Sequence, residues 1–265
     1  MEMVKVCDID MRCERRGQGP PLVMIMGFTA NIDWWPDEFT SVLEKEFELL
    51  MFDNRGAGRT TTGTAPFTMR QFAKDTAALM CECGITRAHV LGASMGGMIA
   101  QQFAIEFPWM VDRLVLACTL PGLPRTKLPS PAIFKTLRDQ GDTAEENARR
   151  SLGLLFPQAF IDANPDLMET VVERISKEPI SERNARRQMG AIMRFHASGR
   201  LPGVRSETLV MCGEEDVLIP PENSRRIASR IPRAKLITFP ASGHGFLNQC
   251  AEEAGRAVAD FLAAG

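Results

Sequence analysis

Gly92-Ala93-Ser94-Met95-Gly96-Gly97 is the stretch that decides how this sequence folds. It follows Ala88-His89-Val90-Leu91, an apolar run that predicts a buried strand, and precedes Met98-Ile99-Ala100-Gln101-Gln102-Phe103-Ala104, which predicts a helix. The pattern is G-x-S-x-G on a strand-to-helix turn. Such a turn strains the serine backbone and is tolerated only where the residues two before and two after lack bulk; both are glycine here. The strain lifts the hydroxyl clear of the sheet. Average composition alone produces the bare pattern in roughly one chain of this length in ten, so its meaning depends on partners elsewhere in the sequence.

On the N-terminal side, Val4-Lys5-Val6-Cys7 and Ile9-Asp10-Met11-Arg12-Cys13-Glu14 alternate like half-exposed strands and predict an antiparallel hairpin. Leu22-Val23-Met24-Ile25-Met26 is a continuous apolar run, expected of a strand buried on both faces, and it ends at Gly27-Phe28-Thr29-Ala30-Asn31. A helix from Pro36 to Glu44, a strand over 47–53 and a helix over 69–83 follow. Strand, helix, strand is the signature of a parallel sheet. The glycine-rich Asn54-Arg55-Gly56-Ala57-Gly58-Arg59-Thr60 does not open directly into a helix, so it fails the dinucleotide-binding pattern.

On the C-terminal side, 111–118 is a further strand, after which the rhythm breaks. From 123 to 201 only helical segments are predicted, near 131–140, 143–156, 165–177 and 181–197. Glu182, Arg183, Arg186, Arg187 and Arg194 read as a solvated helix face. Met189 and Met193 are apolar and face either the main body or a ligand. Strands resume at 207–212 and 234–239, with a helix from Pro221 to Arg230 between them and an amphipathic helix over 251–264 at the end. The domain reading is a core of residues 1–122 and 202–265, with a helical cap of residues 123–201 inserted into it.

Composition narrows the partners. The chain of 265 residues has a net charge of −2, which leaves no basic surplus for nucleic acid or an anionic membrane. No apolar run approaches the ~20 residues of a membrane span, and Met1-Glu2-Met3-Val4-Lys5-Val6 lacks the apolar core of a secretory signal. The expectation is a soluble, cytoplasmic protein. Seven cysteines, an odd number scattered through predicted strands and helices, argue against a disulfide framework. Cys81 and Cys83 have no further ligand at zinc-finger spacing, so no metal is expected, and no motif calls for a cofactor.

A serine hydroxyl is a poor nucleophile at its own pKa. It needs a base to take its proton, and the base needs a third group to hold its tautomer. There are three histidines. His89 lies inside the strand that feeds the turn and His196 ends a helix of the insertion; both read as structural. His244 sits between Gly243 and Gly245 in a loop after the last strand, where a base reaches the serine from the carboxyl edge of the sheet. The acid should follow an earlier strand on that edge. Asp216 fits, and its neighbours Glu214 and Glu215 read as solvated charges. Donors for a developing oxyanion are the backbone N–H of Met95, at a helix N-terminus, and that of Phe28, in the loop after the 22–26 strand.

The order Ser94, Asp216, His244, together with Gly92–Gly97, resembles the serine-type α/β-hydrolases. The loops Trp35-Pro36-Asp37-Glu38-Phe39 and 53–60 are similar to the branch of aclacinomycin methylesterase-like and cofactor-free haloperoxidase-like proteins. The resemblance implies an α/β fold with a mostly parallel eight-stranded sheet flanked by helices and an inserted helical cap. It also implies hydrolysis of a small-molecule carboxylic ester through an acyl-enzyme; the residues expected to line the substrate space are Trp34, Met189 and Met193. Many members carry a histidine before the oxyanion-loop glycine; this chain has Met26 there, which leaves the brace of that loop unassigned. Epoxide hydrolases and haloalkane dehalogenases of the same fold use an aspartate nucleophile, and Ser94 argues against both. The same triad also serves C–C bond hydrolases, aminopeptidases and perhydrolases, and some proteins of the fold act as ligand receptors.

Overall fold

The computed structural model describes residues 2–138 and 141–264. β1 (Glu2–Val6) and β2 (Ile9–Arg16) form the antiparallel hairpin. Then come β3 (Pro21–Ile25), α1 (Asp37–Leu43), β4 (Glu48–Phe52), α2 (Met69–Glu82), β5 (Ala88–Ala93), α3 (Met95–Glu106) and β6 (Val111–Ala117). All eight strands join one sheet in the order β1-β2-β4-β3-β5-β6, continued by two strands from beyond the cap, β7 (Glu207–Gly213) and β8 (Ala234–Phe239). β2 meets β4 antiparallel, and every pairing from β4 onward is parallel.

The apolar runs explain the centre of the sheet. Leu22, Val23, Met24 and Ile25 of β3 are fully buried, as a strand covered on both faces must be. One face packs on α2 and α3 through residues such as Phe72, Leu79, Ile99 and Phe103. The other packs on α1 and the closing helix α11, introduced below, through Phe39, Leu43, Val258 and Phe261. The parallel strands end together, so the loops after β3, β5, β6, β7 and β8 share one edge. In an open α/β sheet that edge is where ligands bind.

Between β6 and β7 lie α4 (Pro131–Arg138), α5 (Ala144–Leu155), α6 (Gln158–Ala163), α7 (Pro165–Ser176) and α8 (Glu182–Met193). The predicted extension of the first of these helices through 139–140 lies outside the described residues. The spacing of the sequence does not mark α6 as a separate helix; its six residues are too few for a repeated apolar stripe, and only Phe160 and Ile161, both half-buried, pack on the neighbouring helices. α5 and α7 pack on each other through Ala148, Leu152, Met168, Val171 and Val172, a small core of the insertion's own. Its stems are pinned by antiparallel backbone bonds, Leu123 N to Phe195 O (3.1 Å) and Ala197 N to Pro121 O (2.9 Å). After β7 come α9 (Glu222–Ala228), the short α10 (Phe246–Gln249) and α11 (Ala251–Ala263). Among the described residues no helix is long and apolar enough to cross a membrane.

The charged face expected on α8 is only partly solvated. Arg186 pairs with Glu182 one turn away in solvent, but Arg187 lies 3.8 Å over the Phe67 ring and Arg194 donates to the Phe67 carbonyl at 3.2 Å. Two arginines thus fasten the helix to the core, by cation–π attraction in one case. Helical spacing places charges on one face without saying that a partner waits there.

Arg55 of the glycine-rich loop is fully buried. Its Nε and Nη2 donate to the two oxygens of Asp75 on α2 at 2.8 and 2.7 Å, and Nη2 also donates to Asp8 at 2.7 Å. That second bond is the main cause that holds the Asp8 carboxyl below its ordinary range. Arg55→Met is expected to destabilise the fold by roughly 3–5 kcal/mol, because Asp75 stays buried with its countercharge gone. Asp8 ionises more easily when folded than unfolded, so its contribution is present above the ordinary aspartate pKa near 3.9 and is lost as pH falls below it. Urea midpoints of the two proteins should therefore differ most near neutrality and converge in acid. A loss under about 1 kcal/mol at pH 7 would contradict this account.

Candidate active site

Ser94 stands at the turn between β5 and α3 with φ 56° and ψ −119°, the strained geometry that the two glycines permit. A Cβ on Gly92 would overlap the Gly96 carbonyl, and one on Gly96 would overlap the carbonyl of Ile25 on β3. The helix therefore sits directly against the sheet. The turn is held by backbone groups: Ser94 N–H donates to Ala117 O at 2.9 Å, and Ser94 O accepts from Thr119 Oγ1 at 2.7 Å. The serine side chain takes no part in either bond.

Asp216, in the loop after β7, is buried. Its Oδ1 accepts from the N–H groups of Leu218 (2.9 Å) and Ile219 (2.7 Å), and its Oδ2 accepts from His244 Nδ1 at 2.8 Å. Two backbone donors thus aim the remaining oxygen at the histidine. A carboxylate only accepts, so the imidazole proton on that side is on Nδ1 and Nε2 is the free basic nitrogen. Glu214 is exposed and accepts from Thr238 Oγ1 at 2.8 Å, and Glu215 is also exposed, as the sequence suggests for both.

The His244 loop packs against the helical segment inserted between β6 and β7. Gly245 N–H donates to the carbonyl of Leu155 at 2.7 Å, and a side chain on Gly243 or Gly245 would run into Leu155, Pro157 or the Phe156 ring. The glycines that bracket the histidine are thus there for close packing against 155–157. Between the serine and the acid lies Cys118, at φ 40° after β6. Burial pushes its thiol well above the ordinary range, and the nearby Asp216 charge adds to the effect. Cys118 is therefore kept as a neutral thiol.

Gly27 lies against the serine: a Cβ there would sit 3.0 Å from Ser94 Cβ and 3.5 Å from its Oγ. The next residue is Phe28. Among the described residues neither the Phe28 N–H nor the Met95 N–H has a protein acceptor. The loop is braced from two sides. Asn54 Nδ2 donates to Met26 O at 2.9 Å from the core, and Gln188 Oε1 on α8 accepts from Thr29 N–H at 2.9 Å from the cap. Asp53 adds bonds from Ile32 N–H (2.8 Å) and Arg59 N–H (2.9 Å), and burial raises its pKa. Asn54 and Asp53 thus hold the two ends of the 26–32 segment from the core.

The remaining predicted residues fall in different places. His89 is buried, with its ring edge-on to Phe47 at 5.7 Å, and burial lowers its pKa; His196 is exposed, its Nδ1 3.1 Å from Arg194 O. Trp34 is half-buried in the short helix after the 27–31 loop and packs with the cluster of Trp35 and Phe39. Met189 is half-buried, and Met193 is 51% exposed. The inward face of α8 is instead Asn184, Gln188 and Ala191, continued past the helix end by the buried Phe195, and Met193 lies outside it. Two polar residues four apart on an otherwise apolar stripe are the signal that marks this face in the sequence. A cavity of about 250 Å³ between sheet and α7 includes Arg16, Asp33, Asp37, Glu173, Arg174 and Lys177 in its lining, but not Ser94, Asp216 or His244. Its charges pair across it, Arg174 with Asp37 at 3.3 Å, so it is a seam between core and cap.

A parallel sheet with a strained serine and an Asp–His pair on its carboxyl edge defines the α/β-hydrolase class of enzyme. Residues 20–247 match the family model of the alpha/beta hydrolase fold, and the chain belongs to that family. It is 31% identical over 250 residues to a protein of Caulobacter sp. (strain K31) that bears the name carbamate hydrolase RutD, covering 91% of this chain and 90% of that one. Among solved structures it is similar to the non-heme bromoperoxidase BpoC of Mycobacterium tuberculosis H37Rv, with TM-score 0.82, 25% identity and 96% of each chain covered. The enol-lactonase of Burkholderia xenovorans LB400 superposes with TM-score 0.86 at 21% identity, over 98% of this chain and 99% of that one.

Proposed function

We propose that this hydrolase cleaves small carboxylic esters through an acyl-enzyme on Ser94. The observation that carries the reading is the buried hydrogen bond between Asp216 and His244 on the sheet edge that also presents the strained serine. His244 Nε2 takes the Ser94 proton as Oγ attacks the carbonyl carbon, and Asp216 stabilises the imidazolium through Nδ1–H. The Phe28 and Met95 N–H groups donate to the oxyanion, and His244 then gives the proton to the departing alcohol. Water, deprotonated by the same nitrogen, attacks the acyl carbon and releases the acid and the serine hydroxyl. No metal or cofactor enters this sequence of steps. Residues 123–201 act as a cap that bounds the substrate space, and Trp34 and Met189 are its proposed apolar liners.

The relative named as a carbamate hydrolase supports a second reading within the same chemistry, since a carbamate also offers a carbonyl to serine and a leaving group to the imidazolium. Both are tested by comparing kcat/KM on p-nitrophenyl esters from acetate to octanoate with matched carbamates, anilides and a dienone acid. The expectation is that short esters lead. Turnover of the dienone acid alone would replace ester hydrolysis with C–C cleavage.

A further inference from the structure

We infer that Gln188, contributed by the cap, is a positioning residue of the oxyanion loop: its Oε1 holds the Thr29 N–H and so fixes the adjacent Phe28 N–H toward Ser94. The inference rests on the serine-hydrolase reading above and gives the cap a second task besides bounding the substrate space.

The loop geometry requires such a holder. Thr29 is a β-branched residue at φ 62°, a left-handed conformation that persists only when neighbouring contacts over-determine it. The contacts here are few and specific. Thr29 Oγ1 donates to Phe28 O at 2.6 Å, Asn54 fixes Met26 O at 2.9 Å, and Gln188 fixes Thr29 N at 2.9 Å. Residues 27 and 28 are therefore suspended between Asn54 from the core and Gln188 from the cap, while Asn31 ties only the far end of the loop, its Nδ2 donating to Lys177 O at 3.1 Å. With methionine at position 26, that residue's side chain has no ring N–H to offer as a brace.

The state of Gln188 itself points away from a stabilising role. Its side chain is fully buried, yet Nε2 has no acceptor among the described residues. An orphaned buried donor is destabilising, so an apolar residue of the same length would suit the packing better. What the amide supplies is one acceptor at one N–H, beside the group that meets the oxyanion. Its neighbour on the same face provides the contrast. Asn184 also ties α8 to the core, through Gly56 O (3.0 Å) and Thr62 Oγ1 (2.9 Å), and makes no bond to the oxyanion loop.

The test compares Gln188→Met, Gln188→Asn and Asn184→Ala with the unmodified chain, using p-nitrophenyl acetate and an alkyl boronic acid that forms a tetrahedral adduct on serine. Gln188→Met removes the acceptor and Gln188→Asn keeps the amide but falls one methylene short. Both are expected to lower kcat by roughly 10- to 100-fold and to weaken the boronate by a similar factor, with KM within about threefold, because the lost contact matters only to the tetrahedral state. Melting temperatures should stay close to that of the unmodified chain, and Asn184→Ala should keep kcat within about threefold. Unchanged kcat and boronate affinity in Gln188→Met would overturn the inference. So would equal losses in Asn184→Ala, which would mean general loosening of the cap, or failure of both Gln188 variants to fold, which would make Gln188 a stability residue. An unmodified chain that neither turns over the ester nor binds the boronate would overturn the serine reading itself, and this inference with it.

Discussion

Ser94→Ala should lower kcat for ester hydrolysis by roughly ten-thousand- to million-fold while leaving the fold intact. The size of the effect follows from the covalent route: without Oγ no acyl-enzyme forms, and only the oxyanion donors and binding remain. The intactness follows from the turn. Its bonds to Ala117 O and from Thr119 Oγ1 use the serine backbone, and alanine adds no bulk against Gly27. Circular dichroism and thermal melting should match the unmodified chain, with turnover of p-nitrophenyl acetate falling to the level of the solvent. Retained turnover would remove Ser94 from the chemistry.

Asp216→Asn should cost about ten-thousand-fold in kcat near neutral pH, and the structure gives the reason. Leu218 and Ile219 point N–H groups at Oδ1, so an asparagine keeps its carbonyl oxygen on them and turns its NH2 toward His244. A donor facing Nδ1 drives the imidazole proton to Nε2, and the nitrogen that should receive the serine proton is then already protonated. Packing is nearly unchanged, since the two side chains have the same shape. The check is kcat together with the imidazole nitrogen resonances: the proton should sit on Nδ1 in the native chain and on Nε2 in the variant. Activity within tenfold of native would mean that Asp216 does not set the tautomer.

The sheet is legible in the sequence because its strands are apolar runs of the right length: Leu22 to Ile25, with no polar residue among them, can only be a segment buried on both faces. The serine turn is legible through its glycines, because a backbone that must approach another backbone excludes every side chain, and His244 through its place in the loop after the last strand. The glycines at 243 and 245 read in the sequence only as loop residues; the structure shows them packed under Leu155 and Phe156. What the sequence hides is anything that depends on contact across long separations. Asn54 and Gln188 grip Met26 and Thr29 from 28 and 159 residues away, and no local pattern carries that information. On α8 the hydrophobic residues Met189 and Met193 read as liners, whereas the helix turns Gln188 inward and leaves Met193 in solvent. Met189 is half-buried between the two, so the apolar residues identify the helix without marking its inward face. The polar pair Asn184 and Gln188, one turn apart beside Ala191 and Phe195, is the better guide. Arg187 misleads in the same way, since a cation reads as solvated until an aromatic ring is found beneath it.

The central claim is that Ser94, activated by His244 and facing donors at Phe28 and Met95, attacks acyl carbonyls. Labelling with a fluorophosphonate tests it directly, because phosphonylation needs an activated serine and donors for the phosphoryl oxygen together. Mass spectrometry of the digested protein should show one adduct, on Ser94, formed rapidly by the native chain and suppressed in Asp216→Asn. A folded protein that takes no label at Ser94, or takes it on another residue, would contradict the account.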